Sequence, residues 1–116
     1  MNARVPSSVF QPEQALAEVS QRWDSDLVRQ ITDYIAIPAK SPAFAADWAQ
    51  QGLLDTVLRN AAQWVEAQKV EGLTLEIIRL EGRTPVLFFE VAATQAHSSQ
   101  TVLMYGHLDK QPEFSG

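Results

Sequence analysis

Three short runs rich in aliphatic and β-branched residues crowd together between Leu73 and Gly106: LTLEIIRL (73–80), PVLFFEVA (85–92) and QTVLMYG (100–106). Each has the length and residue preference of a β-strand. A strand holds only when its backbone donors and acceptors find a neighbour, so this part of the chain is constrained to build a sheet. PVLFFEVA is nearly continuous in apolar residues, which predicts a strand covered on both faces. EGRT, between the first two runs, suits a short hairpin loop, and a polar loop, ATQAHSSQ, leads into the third.

Upstream the apolar period changes from two to between three and four. Pro12 suits the first turn of a helix, where its missing N–H costs nothing. From there Leu16, Val19, Trp23, Leu27, Ile31 and Tyr34 or Ile35 line one face of a helix, with a loosening expected near Asp24-Ser25. Pro38 ends it, and IPAKSP (37–42) reads as an ordered loop. A second helix is expected from about Ala46 to Lys69, with a stripe of Leu54, Val57, Leu58, Ala61, Trp64, Val65 and Gln68. VEGLT stops it, with Gly72 as the C-terminal cap. Residues 1–11 read as a loose arm. No repeat, low-complexity tract or linker interrupts the order. The expected fold is therefore α/β, two helices packed on a mixed β-sheet, in one small domain over residues 1–116.

Composition narrows the function. Nine basic residues against fourteen acidic give a net charge of -5. That balance argues against nucleic acid and against an anionic membrane surface, because both need clustered Lys and Arg. There is no Cys, which excludes disulfides, thiolate metal sites and a Cys nucleophile. The N-terminus lacks the apolar stretch of a secretory signal, and no apolar run approaches the roughly 20 residues of a membrane helix. A cytoplasmic location is the expectation.

The third strand-like run ends in Gly106-His107-Leu108-Asp109. In open α/β sheets ligands sit beyond the carboxyl ends of strands, which is where this pair falls. Neutral imidazole is the commonest metal ligand. A carboxylate two residues along an extended chain projects to the same side and can hold the ring's other N–H, fixing the tautomer. Spacing alone leaves a second reading open, in which His107 is a solvated turn residue. One imidazole and one carboxylate fall short of the three or four protein ligands of a tight zinc site. His97, in the Ser-rich loop, reads as structural or solvent-exposed.

MYGHLDKQPEFSG closely resembles the metal-binding segment of the zinc aminopeptidase, dipeptidase and aminoacylase family that includes carnosinase and succinyl-diaminopimelate desuccinylase. That family carries an apolar strand leading into Gly-His-x-Asp, often followed by x-Gln-Pro. Tyr105, Gly106, His107, Asp109, Gln111 and Pro112 match it, and Lys110 and Glu113 look most like its bacterial dipeptidase branch. IAIPAKSP resembles the Ile-Pro-Ser loop after the family's first helix. The resemblance covers most of the chain, from about residue 20 to 116, and is specific only in the last dozen residues.

The resemblance implies that His107 is a ligand to one of two zinc ions and that Asp109 is the carboxylate that orients its ring, the chain's contribution to the catalytic machinery. It implies a hydrolase that cleaves amide bonds of dipeptides or N-acyl amino acids with metal-activated water. The family also needs a bridging carboxylate, a Glu base and further ligands, which in relatives lie downstream of this segment. On that ground the chain reads as an N-terminal fragment, inactive by itself. A catalytically silent α/β interaction domain is the competing expectation.

Remaining features have plainer readings. Trp23, Trp48 and Trp64 fall on helical segments and read as packing residues. Lys110 reads as a solvated turn residue in preference to one that steers an anionic substrate, and PAKSP as an ordinary Pro-bounded loop in preference to a cleft border. Strands 85–92 and 100–106 would present apolar edges, which predicts self-association, with a homodimer as one form.

Overall fold

The computed structural model describes residues 10–95 and 99–115, so His97 and most of the expected N-terminal arm lie outside the described residues. The chain divides into two compact units, Met1–Ala36 and Ile37–Gly116.

The first unit is helical. Helix α1 (Pro12–Arg22) opens with proline in its first turn, and Ala15 N–H donates to the Gln11 carbonyl at 3.0 Å to close that turn. A π-helical turn (Trp23–Leu27) follows, then helix α2 (Val28–Ala36). The Val28 N–H reaches back to the Trp23 carbonyl, one residue farther than in an α-helix. Asp24, Ser25 and Asp26 offer the backbone competing hydrogen bonds and weaken the regular ladder, which is where loosening was expected. Beyond it, Thr32 Oγ1 bonds the Val28 carbonyl at 2.7 Å and Gln30 Nε2 bonds Asp26 Oδ1 at 3.1 Å. The stripe Leu16, Val19, Trp23, Ile31 and Ile35 is exposed.

Among the described residues, all of the buried apolar positions lie in the second unit. Helix α3 (Trp48–Gln51) and helix α4 (Leu53–Ala67) replace the single helix expected from 46 to 69. Gly52 breaks it. With φ +67 it closes α3 through its N–H to the Trp48 carbonyl at 3.3 Å and starts α4. Its carbonyl accepts both the Thr56 N–H and the Thr56 hydroxyl at 3.0 Å. Only glycine takes that left-handed conformation without a Cβ penalty. Leu54, Val57, Leu58 and Ala62 are buried at helical spacing, and α4 packs this stripe on the hairpin that follows. Trp48 and Trp64 are half-buried, and Trp23 is exposed.

Strands β1 (Leu73–Ile78) and β2 (Val86–Val91) pair antiparallel, from Leu73↔Val91 to Ile78↔Val86. Gly72 is not the helix cap. Lys69 adopts the left-handed conformation just after α4, and Gly72, with φ +78, turns the chain into β1 while its carbonyl accepts the Ala92 N–H at 3.1 Å. Along β1, Leu73, Leu75 and Ile77 are half-buried while Thr74, Glu76 and Ile78 face solvent, the alternation of a one-sided sheet.

Three expectations about the sheet need correction. It is a two-stranded antiparallel sheet, not a mixed one. Strand β2 is not covered on both faces: only Leu87 is half-buried, and Phe88 and Phe89 are exposed, because β2 has no second neighbour among the described residues. Residues 100–106 are not a strand. Val102 to Tyr105 are 85–92% exposed, and no backbone hydrogen bond joins 101–106 to another described segment. Of the two expected helices, the one shown packing on the sheet is α4. The chain thus combines helices with one small antiparallel sheet, and no helix among the described residues is long and apolar enough to cross a membrane.

Candidate functional site

His107 and Asp109 come together. Nδ1 of His107 lies 2.8 Å from Asp109 Oδ1 and 3.1 Å from the Asp109 backbone carbonyl oxygen. Both oxygens can only accept, so Nδ1 carries the proton and donates, and the lone pair of the neutral ring sits on Nε2. The pair is open to solvent, with side chains 68% and 36% exposed. The hydrogen bond to the Asp109 carboxylate, helped by the backbone carbonyl and the carboxylate charge, raises the imidazole pKa above its ordinary value.

The segment carrying this pair is held by the loop that follows α2. Pro38 biases Ile37 away from helical backbone. The loop then turns tightly, with Ala39 N–H to the Ile37 carbonyl at 2.8 Å and Lys40 N–H to the Pro38 carbonyl at 3.0 Å. Lys110 N–H donates to the Ala39 carbonyl at 2.9 Å, and Ser41 N–H donates to the Lys110 carbonyl at 2.9 Å, a one-residue parallel bridge between Lys40 and Lys110. Ala39, 0% exposed, is enclosed at that junction.

Two side chains reinforce the bridge. Lys110 Nζ donates to the Ile37 carbonyl at 2.5 Å, so Lys110 is part-buried instead of the solvated turn residue expected, and burial lowers its pKa. Lys40 Nζ lies 2.9 Å from Glu113 Oε2. The Glu113 pKa is held down by its own backbone N–H first and by Lys40 second. These partners fall within IAIPAKSP and MYGHLDKQPEFSG, the two stretches that carry the resemblance, but neither stretch pairs one with the other; Pro38 and Pro42 mark only the bounds of the loop.

As a donor set, these residues fit one ligand position and no more. Nε2 of His107 is available to a divalent cation, and the Asp109 bond fixes the tautomer and makes the ring more basic. No group of three or more potential metal ligands occurs among the described residues. A groove of about 390 Å³ lies elsewhere, between the start of α4 and the β1–β2 turn, lined by Trp48, Leu54, Arg79, Arg83 and Pro85. Arg79 there is already bonded to Asp55, which also holds Arg59 Nε at 2.9 Å. His107 and Asp109 are not among the residues that line this groove. Compared with models of known protein families the chain matches none, and no curated protein sequence matches it.

Proposed function

We propose that the chain contributes one metal-ligand position to a zinc-dependent hydrolase that cleaves amide bonds of dipeptides or N-acyl amino acids. His107 is the ligand, through Nε2. Asp109 is the carboxylate that holds the ring in the correct tautomer and orientation. The observation that supports this is the 2.8 Å bond between Nδ1 and Asp109 Oδ1, the arrangement metal-bound histidines use. Zinc would supply a polarised carbonyl and a water acidic enough to ionise near neutral pH. Within this chain, Asp109 keeps a proton on Nδ1, which leaves the other nitrogen unprotonated and pointing away from the carboxylate. A two-zinc centre needs further carboxylate and imidazole ligands and a Glu base, so these two residues supply part of a site.

The test uses the polypeptide encoded by the whole reading frame that contains this sequence, purified with zinc. Bound metal and hydrolysis of a panel of dipeptides and N-acyl amino acids are measured beside His107→Ala. Metal content and turnover should both fall. If the substituted protein keeps its zinc and its rate, His107 is not a ligand. A second reading, a catalytically silent interaction domain, draws support from the exposed apolar run Val102–Tyr105. It predicts no zinc and no hydrolysis in the unsubstituted protein.

A further inference from the structure

We infer that the 37–41 loop is a positioning element for the His107 imidazole, acting through the plane of the Asp109–Lys110 peptide, with Lys110 as its positioning residue. The inference deepens the ligand reading and rests on it only for its consequence in metal binding.

The His107–Asp109 segment has no strand to hold it. Residues 101–106 before it make no backbone hydrogen bond to another described segment, yet Nδ1 meets two oxygens of Asp109. The order must come from the other side. One peptide group serves both contacts. Its N–H, on Lys110, donates to the Ala39 carbonyl at 2.9 Å, and its C=O, on Asp109, faces His107 Nδ1 at 3.1 Å. A peptide is planar, with N–H and C=O antiparallel, so fixing where the N–H points fixes where the C=O points. The next carbonyl, on Lys110, is held by Ser41 N–H at 2.9 Å, which pins the backbone on the far side of that residue as well.

The Lys110 side chain locks the same junction. Its ammonium bonds the Ile37 carbonyl across 73 residues of sequence. A charge-assisted bond of this kind outweighs a neutral one and offsets part of the cost of drawing the ammonium out of water. The Lys40–Glu113 ion pair closes the far end, and its exposure makes it the weakest tie. Loop 37–41 therefore presents a carbonyl and an N–H to the segment and so aims the imidazole without touching it. In the whole protein, loosening this support should cost about 10- to 100-fold in metal affinity, the usual effect of an outer partner.

The experiment needs no metal, so its outcome is independent of whether His107 binds one. The 116-residue chain is labelled with ¹⁵N, and the His107 tautomer is read by long-range NMR at a pH where the ring is neutral. Amide exchange at Ser41 and Lys110 is followed in parallel. The unsubstituted chain should show the Nδ1–H tautomer and protected amides. In Lys110→Met, exchange at both amides should speed up about tenfold or more, the loss of one charge-assisted bond, and the ring should shift toward Nε2–H. Lys110→Arg should restore both. A ring that keeps Nδ1–H after the amides have lost protection overturns the inference, as do unprotected amides in the unsubstituted chain. Should Lys110→Met fail to fold, the same two signals are followed in the unsubstituted chain through added urea. Loss of both together supports the coupling, and a tautomer that outlasts the amides refutes it.

Discussion

Two apolar β-type sequences lie within one unit of this molecule and meet opposite fates. Residues 73–91 form a hairpin covered by α4. Residues 101–106, also rich in apolar side chains, stay unpaired among the described residues and almost wholly exposed. The difference is one of connection. Strands β1 and β2 are joined by a seven-residue turn, residues 79–85, closed by the Arg83 N–H to the Leu80 carbonyl at 3.1 Å, so pairing is local and cheap in loop entropy. The helix just before them supplies a cover. Among the described residues, no such partner adjoins 101–106. β-propensity therefore reports a side chain's fit to a half-buried sheet, not the presence of one.

The contrast is broken most directly by equal truncations on its two sides. Leu58, 7% exposed, belongs to the stripe of α4 buried against the hairpin, while Leu103 is 88% exposed. Leu58→Ala should cost about 2–5 kcal/mol, and Leu103→Ala should fall within about 0.5 kcal/mol of the unsubstituted chain. Urea unfolding followed by circular dichroism measures both. A comparable loss for Leu103→Ala would mean that 101–106 is covered in solution, and the distinction between the regions would fail.

What could be read from sequence follows the same line. The α4 stripe was legible because Leu54, Val57 and Leu58 repeat at helical spacing, and the weakness at Asp24-Ser25 because short polar side chains compete for backbone bonds. The His107–Asp109 bond was legible too, since both partners lie within three residues. The break at Gly52 was not, because a glycine flanked by helix formers fits a helix as well as a left-handed cap. The burial expected for β2 failed because a continuous apolar run names no neighbour. The clasp at Lys110 was invisible, because its partner is the carbonyl of Ile37 and any residue has one.

Ala39 probes that clasp with a somewhat smaller expected effect. Its side chain is fully enclosed, so Ala39→Leu adds volume where none is free and should cost about 1–3 kcal/mol. The cost should be local, because the junction of 37–41 with 110 is a small unit beside the α4 core. Amide exchange at Ser41 and Lys110 should speed up while amides in β1 and β2 hold. Uniform acceleration across both regions would show one cooperative body instead of two separable ones.

At the rim of the hairpin, Asp55 holds Arg59 and Arg79, all partly solvated. Exposed pairs of this kind contribute little, so Asp55→Asn should cost about 1 kcal/mol or less and should lose even that in high salt. A loss several times larger in thermal unfolding would make these charges, and not the apolar stripe of α4, the main tie between helix and hairpin.

The smallest effect is electrostatic and belongs to the exposed segment. The imidazole of His107 has its pKa raised above 6.5 by the Asp109 side chain first, then by the Asp109 carbonyl. A raised folded-state value means that the protonated ring is the better partner. Its contribution is therefore fully present below about pH 6.5 and is lost as pH rises through the folded value. The neutral ring keeps an Nδ1–H donor to the carboxylate, so the bond weakens without disappearing. A cation at Nε2 must displace the second proton, so any metal binding at this ring should strengthen across the same interval as pH rises. Titrating the ring by NMR from the imidazolium to the neutral form should give a midpoint above the ordinary histidine value, falling back toward it in Asp109→Asn. A midpoint that ignores that substitution would mean that the carboxylate does not hold the ring, and Asp109 would lose its orienting role whatever His107 binds.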